Sequence, residues 1–147
     1  MDPRQNLVED DARIREIVRG AKRVAVLGMK AERHADRPAF YVPAYLQRAG
    51  ATVIPVPVYY PDVTAILGEQ VYRKLAEVPG PVDILDVFRR ARDIPPHVED
   101  IKKLRPRAVW FQLGIRNDEA ALALAKEGIP VVQDRCLMVE WRRHRGH

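Results

Sequence analysis

Apolar positions along the chain follow two alternating rhythms. Ile14, Ile17 and Val18 recur at helical spacing, with Asp10 and Asp11 ahead of them and Gly20 behind, so Asp11 to Arg19 is predicted to be a short amphipathic helix with start and stop signals. The segment KRVAVLG that follows is apolar, partly β-branched and of strand length, without clean alternation. A strand covered on both faces has that pattern, because neither face has to meet water.

The two rhythms repeat. Val42, Tyr45, Leu46 and Ala49 form a second helical stripe ending at Gly50, and TVIPVPV is a second strand. A proline inside a helix costs about 3 kcal/mol but is tolerated in a first turn, so Pro43 places the start of this helix near Phe40 or Tyr41. Pro55 and Pro57 predict that the strand leaves regular pairing toward its end. A third strand is VDILDVF, Val82 to Phe88; PPHVEDIKKL is a helix with Val98, Ile101 and Leu104 inward; RAVWFQLG is a fourth strand. Asn117 caps a helix opened by Asp118 and Glu119, whose charges suit the positive end of the helix dipole, and which stops at Gly128 before Pro130. IPVVQD is the fifth strand. Between Pro61 and Gly80 the pattern weakens, and Gly68 predicts a turn followed by a short strand or helix.

Strands alternating with helices imply right-handed crossovers and an α/β fold: a doubly wound, mainly parallel, five-stranded sheet with helices on both faces. In such sheets ligands bind beyond the carboxyl ends of the strands, where strand order reverses. The candidate positions are therefore Gly28 to Lys30, Pro57 to Tyr60, Phe88 to Arg92, Gln112 to Arg116 and Asp134 to Cys136.

Composition narrows the picture. A length of 147 residues suits one domain with a single core, expected at residues 22–140. Hydrophobic and charged fractions of 47% and 31% fit a soluble globular chain. No apolar run approaches the roughly 20 residues that span a bilayer. The segment MDPRQNLVEDD lacks a signal-peptide pattern, so no membrane association and a cytoplasmic location are expected. A net charge of +5 raises the question of nucleic acid. However, Arg142, Arg143, His144 and Arg145 crowd the carboxyl end and the other cations are dispersed among acids, so no nucleic-acid partner is expected. Residues 141–147 read as a mobile, solvated basic tail.

Candidate chemistry is sparse. One cysteine, Cys136, excludes an internal disulfide and a metal site built on paired cysteines. No histidine has metal-ligand spacing to Cys136 or to another histidine, so no metal is expected. Asp83 and Asp86 stand at i and i+3 on a strand, hence on opposite faces, a poor arrangement for acid and base work; they read as hydrogen-bonding or strand-end residues. No catalytic residue is assigned, and a binding protein is favoured over an enzyme. Gly28 permits both an unusual turn and close approach of backbone N–H groups to a phosphate, although a plain turn explains it equally. GMKAERHADRP lacks the second and third glycines of the dinucleotide fingerprint. Lys30, Arg33 and Arg37 add positive charge to this loop.

Taken in order over Lys22 to Glu140, VAVLG, RPAFYVPAYLQRAGATVIPV, ILGEQVY, VDILDVFRR, VWFQLGI and DRCLMVE resemble the small coenzyme A-binding proteins of bacteria and archaea. These are single Rossmann-like domains similar to the CoA-binding domain of succinyl-CoA synthetase α subunits. The resemblance implies a domain that binds coenzyme A, free or acylated, by its nucleotide end, with the phosphates near the first strand's loop and the ligand running over the other strand ends. By that resemblance Gly28, Met29, Lys30, Arg37 and Pro38 fall in the phosphate loop, Phe88, Arg89 and Arg90 line the third strand's end, and Leu113 and Gly114 the fourth's. Phe88 serves core packing equally well, and one of the two arginines is expected to reach a phosphate.

Two departures stand out. Where the family reads G-A-S, this chain has Met29 and Lys30, losing a hydroxyl and gaining a cation that meets phosphate as a point charge. Where the family tends to P-V-N-P, this chain has Pro55-Val56-Pro57-Val58-Tyr59; Pro57 and Tyr59 complete the expected set there, and Tyr59 or Tyr60 could stack on a base. Cys136 follows Asp134-Arg135 at the last strand's end, where Arg135 would favour the thiolate and a mixed disulfide with bound CoA. A small, inert thiol beside Leu137 and Met138 is the favoured account. Three functions follow: CoA binding without catalysis, a small enzyme or redox partner using Cys136, and a sensor of NAD or another adenine nucleotide.

Overall fold

The structure is a computed structural model describing residues 2–146. Its elements run β1 (Leu7–Val8), α1 (Asp11–Arg19), β2 (Arg23–Leu27), α2 (Pro38–Arg48), β3 (Thr52–Val56), β4 (Ala65–Ile66), β5 (Glu69–Gln70), β6 (Ile84–Val87), α3 (Val98–Leu104), β7 (Ala108–Phe111), α4 (Asp118–Ala125), β8 (Val131–Val132) and α5 (Leu137–Arg145). Six strands form one parallel sheet in the order β1-β8-β7-β6-β2-β3. The expected sheet had five strands. The sixth, β1, pairs only Leu7 with Val131 and Val8 with Val132, too short a segment to leave a periodic signal.

Alternation along the central strand divides the core. Val24 and Val26 of β2 join Ile84, Trp110 and Val132 beneath Ile14 and Val18 of α1, Val42 and Leu46 of α2, and Leu137 and Trp141 of α5. Ala25 and Leu27 join Leu85, Val109 and Phe111 beneath Val98 and Ile101 of α3 and Leu124 of α4. Both faces of β2 are thus dry, as its unalternating sequence implied. Because β2 has β3 on one side and β6 on the other, the two crossovers diverge and leave a crevice at the strands' carboxyl ends.

Local signals account for most boundaries. Asp10 caps α1 by accepting from Arg13 N, and Asn117 caps α4 by accepting from Ala120 N at 3.0 Å. Segment 61–80 forms the antiparallel β4–β5 hairpin, turning through Leu67 and Gly68 at φ +54° and +75°, and then a 3₁₀ turn at Leu75–Glu77. Pro55 stays in register with Val26, which the sheet tolerates because β3 is an edge strand; regular pairing ends at Val56. Among the described residues no helix is long and apolar enough to cross a membrane.

Two expectations need correction. Helix α2 begins at Pro38, not near Phe40 or Tyr41, and carries Pro43 inside it. A proline at position i leaves the carbonyl of i−4 without its helical donor; here that carbonyl belongs to Ala39 and accepts from Lys30 N at 3.0 Å. The hydrogen bond is moved rather than lost. Nor is the carboxyl end a solvated tail, since α5 runs to Arg145 and buries Trp141 to 1% exposure. Arg145 donates to the carbonyls of Val18 and Ala21 at 2.8 and 2.7 Å, Arg19 donates to His144 O, and Arg143 pairs with Asp11 at 3.0 Å. The basic run docks α5 on α1, completing the terminal carbonyls of α1. Leu137 and Trp141, four apart, were the overlooked helical signal.

If α5 is part of the core, Trp141→Ala should lower unfolding free energy by about 3–5 kcal/mol in urea titration. A loss under about 0.5 kcal/mol, the usual range for surface changes, would return this segment to the solvent.

Candidate functional site

The crevice is set by a backbone contact. Immediately after β2, Gly28 adopts φ +83° and donates to Val56 O at 2.8 Å, while Phe88 N donates to Leu27 O at 2.9 Å. A Cβ on Gly28 would lie 2.5 Å from the Phe88 carbonyl oxygen. Glycine is therefore required twice over, by its left-handed conformation and by the close passage of the β6 backbone. A plain turn would have needed only the first.

Above this contact the loop returns to the start of α2. Arg37 occupies the N-cap position with no side-chain cap, and Pro38 opens the first turn. The first-turn amides of such a helix face outward with the positive end of its dipole. Lys30 is held beside that turn through its N–H bond to Ala39 O.

Three separated segments meet here around a cavity of about 460 Å³. Lys30 and Arg37 come from the β2–α2 connection and Pro38 from the start of α2, Phe88, Arg89 and Arg90 from the end of β6, and Leu113 and Gly114 from the end of β7. Arg89 is the better held of the two arginines: its side chain is 16% exposed and lies 3.9 Å from Asp93, whereas Arg90 is exposed. The exposed Tyr59 ring stands near both cations, with Lys30 Nζ 4.9 Å and the Arg89 guanidinium 6.0 Å from its centroid. Phe88 is half-buried, packing on the core while still lining the cavity. Gly114 turns at φ +86°, and its N–H is occupied by Asp134 Oδ1 at 2.7 Å.

Other expected residues lie elsewhere. Met29 is 1% exposed inside the core, so only its backbone belongs to the loop. Pro57 and Tyr59 line an adjoining cavity of about 1030 Å³ at the end of β3, together with Arg73, Lys74 and His97. Burial, and then the Arg89 charge, push the His97 imidazole below its usual pKa, which favours its neutral form. Tyr60 is 5% exposed and hydrogen-bonded to His34 Nδ1 at 2.5 Å, which leaves Tyr59 as the ring open to a base. Cys136 lies at the N-cap of α5 in a third cavity of about 690 Å³, and Leu113 walls both this cavity and the central one. Arg135 donates to Glu9 O at 3.1 Å and lies 3.8 Å from Glu140.

The two aspartates separate sharply. Asp83 accepts from Lys22 N and Arg23 N at 2.8 and 2.9 Å, bracing the start of β2 as a hydrogen-bonding residue. Asp86 is not one: fully buried between Val26 and Trp110 in the sheet, neither oxygen has a partner, and burial pushes its carboxyl well above the usual range. Among the described residues, no cluster of three or more His, Cys, Asp or Glu side chains could hold a metal ion. Sequence reasoning missed Ala39, whose role was signalled by the proline four positions later, and the His34–Tyr60 pair, which carries no local signal.

Residues 22–142 match the family described as CoA binding domain, and the chain belongs to that family. It is similar to the uncharacterized protein YneT of Bacillus subtilis (strain 168), 35% identical over 128 residues, 87% of this chain and 91% of that one. Among solved structures it resembles cell-free ID.343 from Thermus thermophilus at 43% identity and a TM-score of 0.84, covering 92% of this chain and 99% of that one. A hypothetical protein from Pyrococcus horikoshii OT3 is 30% identical with a TM-score of 0.82, covering 94% of each chain. The Rossmann-like α/β fold is shared with these neighbours.

Gly28 and Gly68 offer a matched test, since both have positive φ but nothing lies within 4 Å of a Cβ placed on Gly68. Gly68→Ala should cost about 1–2 kcal/mol from conformation alone. Gly28→Ala should cost about 1–3 kcal/mol more, because overpacking is added. Equal losses in urea titration would show that the Phe88 contact does not constrain the crevice.

Proposed function

We propose that the protein binds coenzyme A or an acyl-CoA in the cytoplasm, with the ligand's phosphates in the β2–β6 crevice and no chemistry performed by the chain itself. One observation carries this reading: Lys30, Arg37, Arg89 and Arg90, drawn from two distant segments, converge with the start of α2 on a single cavity at the topological switch point. Lysine meets a phosphate as a point charge and arginine as a planar fork, so the set suits a polyphosphate better than a single carboxylate. Tyr59 supplies an exposed aromatic face beside these cations for the base. Lys30 stands where relatives of the resembled type carry a serine, and its position over the cavity supports charge taking over from the hydroxyl.

A second reading rests on Leu113, the wall common to the central cavity and the one holding Cys136. A pantetheine arm crossing Leu113 would bring its sulfur toward Cys136. The Cys136 thiolate would then attack a CoA disulfide, breaking that S–S bond, forming the protein–CoA disulfide and releasing the other sulfur as a thiol.

Calorimetric titration of the reduced protein with CoA, dephospho-CoA, NAD and ATP tests the first reading. One-to-one binding that is tightest for CoA is expected, and preference for NAD or ATP would make this a sensor of another nucleotide. Cys136→Ala should leave CoA affinity within about twofold; loss of a protein–CoA adduct in that variant, seen by mass spectrometry after exposure of both proteins to CoA disulfide, would favour the second reading.

A further inference from the structure

We propose that His34 and Tyr60 are positioning residues: their side-chain pair latches the Lys30–Arg37 loop to the loop after β3 and so sets Lys30 and Tyr59 at the mouth of the crevice. The inference rests on the phosphate-site reading above and adds to it the device that holds two walls of the site together.

The starting point is a backbone outlier. Tyr60 has φ +67° although it is a bulky aromatic residue, a strained conformation that persists only where surroundings over-determine it. Those surroundings are visible on every side. His34 Nδ1 lies 2.5 Å from the Tyr60 hydroxyl, the Arg33 guanidinium stands 4.7 Å from the ring centroid, and Arg73 donates to Tyr60 O at 2.9 Å, to Pro61 O at 3.3 Å and also to Val63 O. Glu32 Oε2 accepts from Leu67 N at 2.8 Å, tying the same loop to the turn of the β4–β5 hairpin. Consecutive residues 32, 33 and 34 therefore all grip one segment.

The strained turn has a geometric result. It sends Tyr60 inward, 5% exposed, and leaves Tyr59 outward, 58% exposed, close to Lys30 and Arg89. Without the pair the loops would keep the Arg33–Tyr60 ring contact and the Glu32–Leu67 hydrogen bond but lose the side-chain hydrogen bond that fixes the Tyr60 ring, and Tyr59 would be held less firmly beside the cations. Neither latch residue lines the phosphate cavity, and Tyr60 walls only the adjoining cavity beside Tyr59, so toward the phosphates the pair acts through Lys30 and Tyr59.

A double-mutant cycle decides the matter. Wild type, His34→Ala, Tyr60→Phe and the double variant are compared for CoA dissociation constant, thermal midpoint and amide hydrogen exchange in the free protein. Each single variant should weaken CoA binding about 5–20-fold, with a midpoint within a few degrees of wild type. The double variant should be no weaker than the worse single, because both remove the same contact. His34→Gln, which keeps a hydrogen-bonding group, should recover part of the affinity. Exchange at Lys30 and Leu67 should quicken in all variants that break the pair. Unchanged exchange would overturn the latch whether or not CoA binds, whereas faster exchange with unchanged or multiplicative affinities would reduce it to a structural contact. Failure of the wild type to bind CoA would sink the CoA reading alone, since the exchange arm still tests the latch.

Discussion

The passage of the Phe88 carbonyl over Gly28 is the constraint on which the site depends. With no Cβ between them, β2 and β6 remain in contact one residue past their ladder, and the chain leaves β2 in a left-handed turn. That turn carries the following loop over the crevice instead of straight into a helix. The end of β6 is held at the same point, which puts Arg89 across from Lys30 with Tyr59 between them. An alanine at this position would have to separate the two strands at the place where opposite crossovers open the sheet.

Pro43 supplies the second fixed point. An interior proline ordinarily weakens a helix, yet here it releases the Ala39 carbonyl toward Lys30, so the first turn of α2 and the loop after Gly28 are joined by a backbone hydrogen bond. The positive end of α2 is thereby kept beside Lys30. Local destabilisation of a helix and ordering of the loop after Gly28 are two consequences of one residue.

Much of this was legible in the sequence where the signal is local or periodic. Helix α1 matched its caps and apolar spacing, β2 matched the unalternating run of a doubly covered strand, and the α/β alternation implied the parallel sheet. Eight of the anticipated site residues line one cavity: six lie at strand ends named by the switch-point rule, and Arg37 and Pro38 were implied by the family resemblance. What escaped depended on partners distant in sequence. The two-residue strand β1 exists only through its pairing with β8, Met29 packs into the core, and α5, despite its own Leu137–Trp141 spacing, is docked by the α1 carbonyls that Arg145 meets. Tyr59 and Tyr60 were indistinguishable until the backbone conformation at Tyr60 sent one out and the other in. Asp86 obeyed strand alternation yet faces an apolar layer with no partner, for which the structure offers no physical account.

The central claim is that the ligand's phosphates lie where Gly28, Lys30 and the first turn of α2 meet. The most direct measurement is a two-dimensional amide NMR titration of the labelled protein with CoA. The account predicts that the largest shifts fall on the amides of Gly28, Lys30, Ala39 and Arg89, with little change at Arg23 and Ile84, at the opposite ends of β2 and β6. Shifts concentrated at those opposite ends, or saturable binding that leaves the Gly28 and Ala39 amides unmoved, would contradict it.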